Sequence, residues 1–203
     1  MSDITTIEQL ESIYGTPAET ATVKVTDEIT DDYRRFIEAS PFLALATSGP
    51  NGLDCSPRGD SPGFVRLEGS KCLLLPDRRG NNRIDSLRNI VLDPRVALLF
   101  FVPGSLMTVR VNGLARISVE RERLDSFETD GKPPRSVIVI DVQEVFFQCG
   151  RAILRSDLWN AEHHIGEGQL PTPGEILANL SDDRVGGDGY DQEWPERARN
   201  TLW

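Results

Sequence analysis

At 203 residues and 38% hydrophobic, the chain is large enough for one domain with a core, and no run approaches the ~20 consecutive apolar residues of a membrane-spanning helix. A net charge of −10 argues against a nucleic-acid binder, which usually carries a basic excess. The first ten residues hold acids and no apolar run, so they do not read as a signal peptide, and a cytoplasmic protein with no membrane or nucleic-acid partner is expected.

In chain order, residues 6–14 read as a short helix ended by Gly15, and residues 30–39 as a second, with Tyr33, Phe36 and Ile37 on one face. Pro41 stops it. Residues 42–47 form an apolar strand, Asn51-Gly52 signals a tight hairpin, and residues 53–57 return. Residues 64–67 and 72–75 make another hairpin about Glu68-Gly69-Ser70. A helix is expected over 83–91, with Ile84, Leu87, Ile90 and Val91 as its apolar face and Asp93-Pro94 as its end. Strands follow at 96–102 and 107–117, the latter interrupted at Asn112-Gly113 by a bulge or a second turn. A polar helix at 120–128, a long β-branched strand at 137–147, a helical piece from 151 to 159 and short helices at 174–180 and 194–202 complete the chain. Antiparallel hairpins with peripheral helices predict an α+β protein built on a β-barrel.

Charge is unevenly spread. Residues 41–155 hold 13 acids and 16 bases, residues 1–40 hold 9 and 3, and residues 156–203 hold 10 and 3. A basic centre between acidic ends suits a discrete anionic ligand; acidic ends that serve only solubility are the competing account. Cys55, Cys72 and Cys149 form no Cys-x-x-Cys pair and read as reduced, mostly buried thiols. His163 and His164, adjacent in an acidic tail, lack zinc-site spacing, so no metal is expected. Nucleophile-elbow, P-loop and Rossmann signatures are absent from the sequence.

Four stretches can carry chemistry. Pro76-Asp77-Arg78-Arg79-Gly80-Asn81-Asn82-Arg83 runs into a helix, whose N-terminus attracts phosphate, and arginine forks donate two hydrogen bonds to such a group. Asn82 and Asp85 have the spacing of a cap pair. A charged surface loop with an ordinary cap is the alternative. Ser56-Pro57-Arg58-Gly59-Asp60 ends a strand, where Arg58 can reach an anion and Gly59 lets a ligand approach the backbone. Thr108, Arg110 and Asn112 alternate with Val109 and Val111, giving a polar strand face that is either a ligand wall or simply solvated. Arg151 and Arg155, four apart, make a second cationic patch beyond Cys149.

These stretches, in this order, resemble the flavin-binding family related to pyridoxamine 5'-phosphate oxidase. The resemblance spans roughly residues 30–160 and adds Pro62-Gly-Phe-Val65, Arg88-Asn89, Val102-Pro-Gly104, Arg110-Val-Asn-Gly113 and Leu158-Trp159 to the pieces above. It implies an antiparallel split β-barrel, a homodimer, and FMN in a cleft at the subunit interface. The domain reading that follows is an N-terminal helical segment at 1–40, an FMN-binding barrel at 41–160 and an acidic extension at 161–203, all one structural domain.

Carried over, the resemblance places Arg58, with Gly59 and Asp60, near the cofactor. It places Asn81, Asn82 and Arg83, with Pro76, Asp77 and Arg78, near the phosphate, and Thr108, Arg110, Val111 and Asn112 near the ring or ribityl chain. Cys149, Arg151 and Arg155 join the cofactor set. Where the family pattern has a histidine before the cysteine and a lysine two residues after it, this chain has Gln148 and Arg151. Glutamine is no general acid or base, so no catalytic residue is assigned. An oxidoreductase acting on a small molecule is the leading expectation. A non-enzymatic flavin-binding or sensing protein, or the same barrel holding haem or a deazaflavin, are the others.

Overall fold

A computed structural model describes residues 3–50, 52–166 and 168–202. The elements run as helices α1 (Ile7–Tyr14), α2 (Glu19–Thr22) and α3 (Asp31–Ala39), then strands β1 (Phe42–Gly49), β2 (Gly52–Gly59), β3 (Arg66–Leu67) and β4 (Cys72–Asp77). Helix α4 (Asp85–Leu92), strands β5 (Arg95–Phe101) and β6 (Thr108–Ser118), helix α5 (Arg121–Ser126) and strand β7 (Ser136–Gln148) follow. Helices α6 (Arg151–Ser156), α7 (Pro173–Ser181) and α8 (Gly187–Arg199) end the chain. The strands form one antiparallel sheet in the order β2-β1-β5-β6-β7-β4-β3. No described helix is long and apolar enough to cross a membrane.

The two flanks of this sheet curl toward each other without pairing. β2 is an edge, and β4 beyond its short pairing with β3 is another. Side chains bridge the gap: Arg58 Nη1 lies 2.9 Å from Asp77 Oδ1, and Arg78 Nε lies 3.0 Å from Asp60 Oδ2. The fold is therefore the expected α+β antiparallel split barrel with peripheral helices, open along one seam. Pro76, which has no N–H to donate, sits on β4 where only β7 pairs with it, the edge position a strand proline requires.

Alternation fills the barrel. Leu43 and Leu45 on β1, Val96, Leu98 and Phe100 on β5, and Val109 and Val111 on β6 are buried at every second position and share one cluster with Leu73 and Leu75. The unbroken apolar run of β7 has a separate cause. Ile138 and Ile140 face the barrel core, whereas Val137 and Val139 pack outward with Leu74, Phe127 and Leu124 of α5, so both faces of this stretch are covered. Ile37 of α3 is fully buried against the barrel, with Tyr33 and Phe36 partly buried beside it, as their shared helical face predicts.

Local signals hold at several ends. Thr6 and Thr30 cap α1 and α3 through their hydroxyls, and Gly15 ends α1 at φ 68. The interruption at Asn112-Gly113 is a bulge: Asn112 pairs with Glu144 and Gly113 with Val142, which leaves Gln143 as the extra residue on β7. The hairpin joining β1 to β2 closes at Gly49 and Gly52; Asn51 lies outside the described residues.

Other expectations need correction. α4 starts at Asp85, not 83, and its apolar face is incomplete: Ile90 is buried, but Ile84 and Val91 are exposed. Asn82 and Asp85 form no cap pair, because Asn82 Oδ1 instead accepts from Arg135 Nη1 at 2.8 Å and the N-cap position falls to Ile84. The strand expected at 64–67 shrinks to Arg66–Leu67, since Phe64 and Val65 are buried in a turn rather than paired. α2 carries no strong periodicity and escaped the sequence reading, and α8 begins at Gly187, well before 194. The thiols are not mostly buried: Cys55 and Cys149 are exposed and Cys72 is half-buried, where burial first, and then Glu68, pushes its thiol pKa up.

Asp93 ties the end of α4 to the sheet. It accepts from Arg95 Nε at 2.9 Å, from the Arg95 backbone N–H at 3.1 Å and from Ser48 Oγ at 2.9 Å. The Arg95 side chain, then its N–H, then Ser48 hold the Asp93 carboxyl far below the usual carboxylate range. With a folded pKa below the ~3.9 of an unfolded aspartate, ionised Asp93 stabilises the fold above that value, and the contribution fades as pH falls through the folded pKa. The melting temperature of Asp93→Asn should therefore lie below that of the parent at pH 7, with the gap narrowing below about pH 4. Thermal scans from pH 7 to 2 decide this, and a pH-independent gap contradicts it.

Candidate functional site

The alternation that fills the barrel also arms its seam. On β2, Asp54, Ser56 and Arg58 point one way and are half-buried, while Leu53, Cys55, Pro57 and Gly59 are exposed. Ser86, in the first turn of α4 and 3% exposed, receives them: it donates to Asp54 Oδ2 at 2.5 Å, contacts Ser56 Oγ at 2.9 Å and accepts from Arg58 Nη2 at 3.2 Å. Arg58 Nη1 reaches Asp77 across the seam, and Arg58 Nε is buried with no hydrogen-bond partner among the described residues. Such an orphan donor is costly, typically about 1–3 kcal/mol, and favours an acceptor beside it.

Above this network lies a hollow of about 350 Å³ between the ends of β2 and β4, the 80–84 loop and the mouth of α4. Its walls include Arg58, Arg78, Arg79, Arg83 and Arg135 against Asp54, Asp77 and Asp85, an excess of two positive charges. The N-cap residue Ile84 makes no side-chain cap bond to α4, and no described side chain takes its place, so the first N–H groups are left to other acceptors. Arg78 is a clasp: besides Asp60 it donates to the Phe127 carbonyl at 2.9 Å and to Thr129 Oγ1 at 3.2 Å. Arg83 pairs with Asp85 at 2.7 Å, a bond that raises the pKa of its guanidinium. An apolar groove of about 750 Å³ adjoins the hollow; the two share Asp54, Arg83, Ile84, Asp85 and Leu87, and Leu53, Val91, Leu92 and Ile117 extend the groove.

Of the expected site residues, Arg58, Asp77, Arg78, Asn81, Asn82 and Arg83 thus line one hollow, and Gly59 and Pro76 line a smaller one of about 200 Å³ beside it. Asp60 reaches the same seam through Arg78. Thr108, Arg110, Val111 and Asn112 lie elsewhere, on β6. Thr108 is buried and the Val111 side chain is wholly inside the core. The Arg110 guanidinium stacks 5.4 Å from the Phe146 ring centroid, and Asn112 Nδ2 donates to Glu144 Oε2 at 2.6 Å. Cys149, Arg151 and Arg155 are exposed at and just before α6. One chain therefore presents two separate groups, a seam group and a β6–α6 group.

A sequence profile of the family described as Pyridoxamine 5'-phosphate oxidase matches residues 29–149, more than half of the chain. The chain belongs to the pyridoxamine 5'-phosphate oxidase family. No curated protein matches it in sequence. Among solved structures, HupZ of Group A Streptococcus is 21% identical, with 60% of this chain and 94% of that chain covered at a TM-score of 0.48. General Stress Protein 26 of Bacillus anthracis is 17% identical, with 56% and 88% covered at a TM-score of 0.43. At such identities the likeness says nothing of ligand or reaction.

Both groups fall mainly within the family-matched region; α6 lies just past it. Sequence reasoning missed Asp54, Ser86 and Arg135 in this pyridoxamine 5'-phosphate oxidase family barrel. The alternation read at residues 108–112, carried to β2, would have joined Asp54 to Ser56 and Arg58. Ser86 carries the weaker signal of a polar residue one turn into a helix. Arg135 carries none, because only the pairing of Ser136 with Asp77 brings it to the hollow.

Proposed function

We propose that the protein binds FMN, with its phosphate in the seam hollow, and works as an FMN-dependent oxidoreductase on a small molecule. The observation that carries this reading is a hollow with a net arginine excess at an uncapped helix mouth, opening into an apolar groove. A ligand with a dianionic end and a planar apolar end matches both halves. Arg58 and Arg83 would hold the phosphate through charge-assisted hydrogen bonds, Asn81 and Asn82 would add polar contacts, and the orphan Arg58 Nε supplies a donor with no competing acceptor. When bound, FMN supplies hydride and single-electron chemistry that no side chain here can perform.

The separation of the two residue groups supports a homodimer, in which the β6–α6 group of one subunit faces the seam of the other. Arg110, fixed by its stack on Phe146, would then set a positive charge near the ligand without needing to move. Gln148 cannot transfer a proton, which favours, as the second reading, a protein that holds flavin without turning over a substrate of its own.

The purified protein should be yellow, show the two flavin absorption bands, and release a ligand with the mass of FMN on denaturation. Anaerobic bleaching by NADH or NADPH with substrate-dependent reoxidation supports the enzyme; stable binding without reoxidation by any small acceptor supports the second reading. A colourless protein that takes up no added FMN overturns both.

A further inference from the structure

The loop at the mouth of the hollow holds a conformation its own residues disfavour. Asn82 has φ 62 and Ile84 has φ 54. Asparagine tolerates the left-handed region, but a β-branched residue there is a true outlier. Local bonds do not explain it. Asn81 Oδ1 accepts from the Arg83 N–H at 3.1 Å and Arg83 pairs with Asp85, yet Ile84 caps α4 with no side-chain bond and leaves its own side chain half exposed.

What reaches the loop from the barrel is Arg135, whose Nη1 donates to Asn82 Oδ1 at 2.8 Å across 53 residues of sequence. Arg135 directly precedes β7, and its neighbour Ser136 pairs with Asp77, the residue that takes the Arg58 guanidinium. The strut is therefore seated on the same rigid register as the seam ion pair. Arg135 is itself exposed, so it bears little of the fold's packing.

We propose that Arg135 is a positioning residue, holding the 80–84 loop in its strained form so that Asn81, Asn82 and Arg83 face the hollow. Its consequence for ligand affinity rests on the FMN reading; its effect on the loop does not. Without the strut the loop relaxes, and if the competent form falls to about a tenth of molecules, the apparent Kd rises about ten-fold. Glycine accepts positive φ without penalty, so Ile84→Gly should make the strut dispensable.

The test compares the full chain with Arg135→Met and with Arg135→Met/Ile84→Gly by amide hydrogen exchange in ligand-free protein and by FMN titration. Amides 81–86 should exchange faster in Arg135→Met, with protection largely regained in the double variant. FMN affinity should fall about ten-fold in the first and recover in part in the second, which still lacks the Arg135 charge and the Ile84 side chain that line the hollow. Arg135→Met exchange equal to the parent's overturns the proposal. So does an affinity loss that Ile84→Gly leaves undiminished, because Arg135 would then act on the ligand only through its charge. If the parent binds no FMN, the functional reading fails, while exchange still decides the role of Arg135.

Discussion

Arg58→Ala should raise the Kd for FMN by about 100-fold, corresponding to about 2.7 kcal/mol, and lower unfolding free energy by about 3 kcal/mol. The two losses have different origins. Arg58 and Asp77 keep only 21% and 16% of their side-chain surface, so removing the guanidinium leaves a mostly buried carboxylate without its counter-charge. It also leaves Ser86 without the Arg58 donor and removes one of the two ion pairs that bridge the seam. The residual exposure places the stability cost at the lower end of the range for broken buried pairs. On the proposed placement of FMN, affinity falls because the hollow loses the arginine that spans it. The pair Arg58→Met/Asp77→Leu separates the effects: replacing both charges with apolar groups should restore most of the stability and none of the affinity. Urea unfolding and flavin titration of the two variants check this. Near-parental FMN binding by Arg58→Ala would take the ligand away from the seam.

Gly113→Val should cost about 3 kcal/mol or more of stability, at the upper end for overpacked positions. A Cβ at Gly113 would sit 2.5 Å from the backbone oxygen of Asp141 and 2.9 Å from Ile140 Cγ2. The carbonyl belongs to β7, whose pairing with β6 is the longest in the sheet, so it cannot withdraw without opening that ladder at its bulge. Gly104 is the control. It has φ 82 and nothing within 4 Å of its would-be Cβ, so Gly104→Ala should cost only the left-handed backbone penalty, about 1–2 kcal/mol. Urea midpoints with unchanged slopes test the ranking. A Gly113→Val midpoint equal to that of Gly104→Ala would mean the bulge can shift to another register.

Much of this molecule is legible from its residues in order. Thr6 and Thr30 cap helices because the hydroxyl acts within three residues, and Gly15 ends one because a missing Cβ is a local property; Asn112-Gly113 marks an interruption locally, but only the β6–β7 register makes it a bulge rather than a turn. The arginine-rich run at 76–83 and Arg58 could be read as an anion site, since each stretch carries its chemistry alone. The seam residues that were missed fall into two kinds. Asp54 shares a period of two with Ser56 and Arg58 that was visible, and Ser86 stands one turn into a helix. Arg135 reaches Asn82 only through the register of β4 on β7, and a slip of one residue there would turn it to the other face.

The sequence by itself determined most of the succession of strands and helices, the alternating core positions, a break in the strand at Asn112-Gly113 and the local charge of the loops, because these depend on neighbours a few bonds away. Tertiary structure alone decided which charges meet across the seam, why Val137 and Val139 are covered as fully as Ile138 and Ile140, why Ile84 and Val91 are exposed, and that the β6–α6 group stands apart from the seam. Those outcomes follow from sheet order and register. They come from the combined burial of distant strands, and no run of adjacent residues encodes that sum.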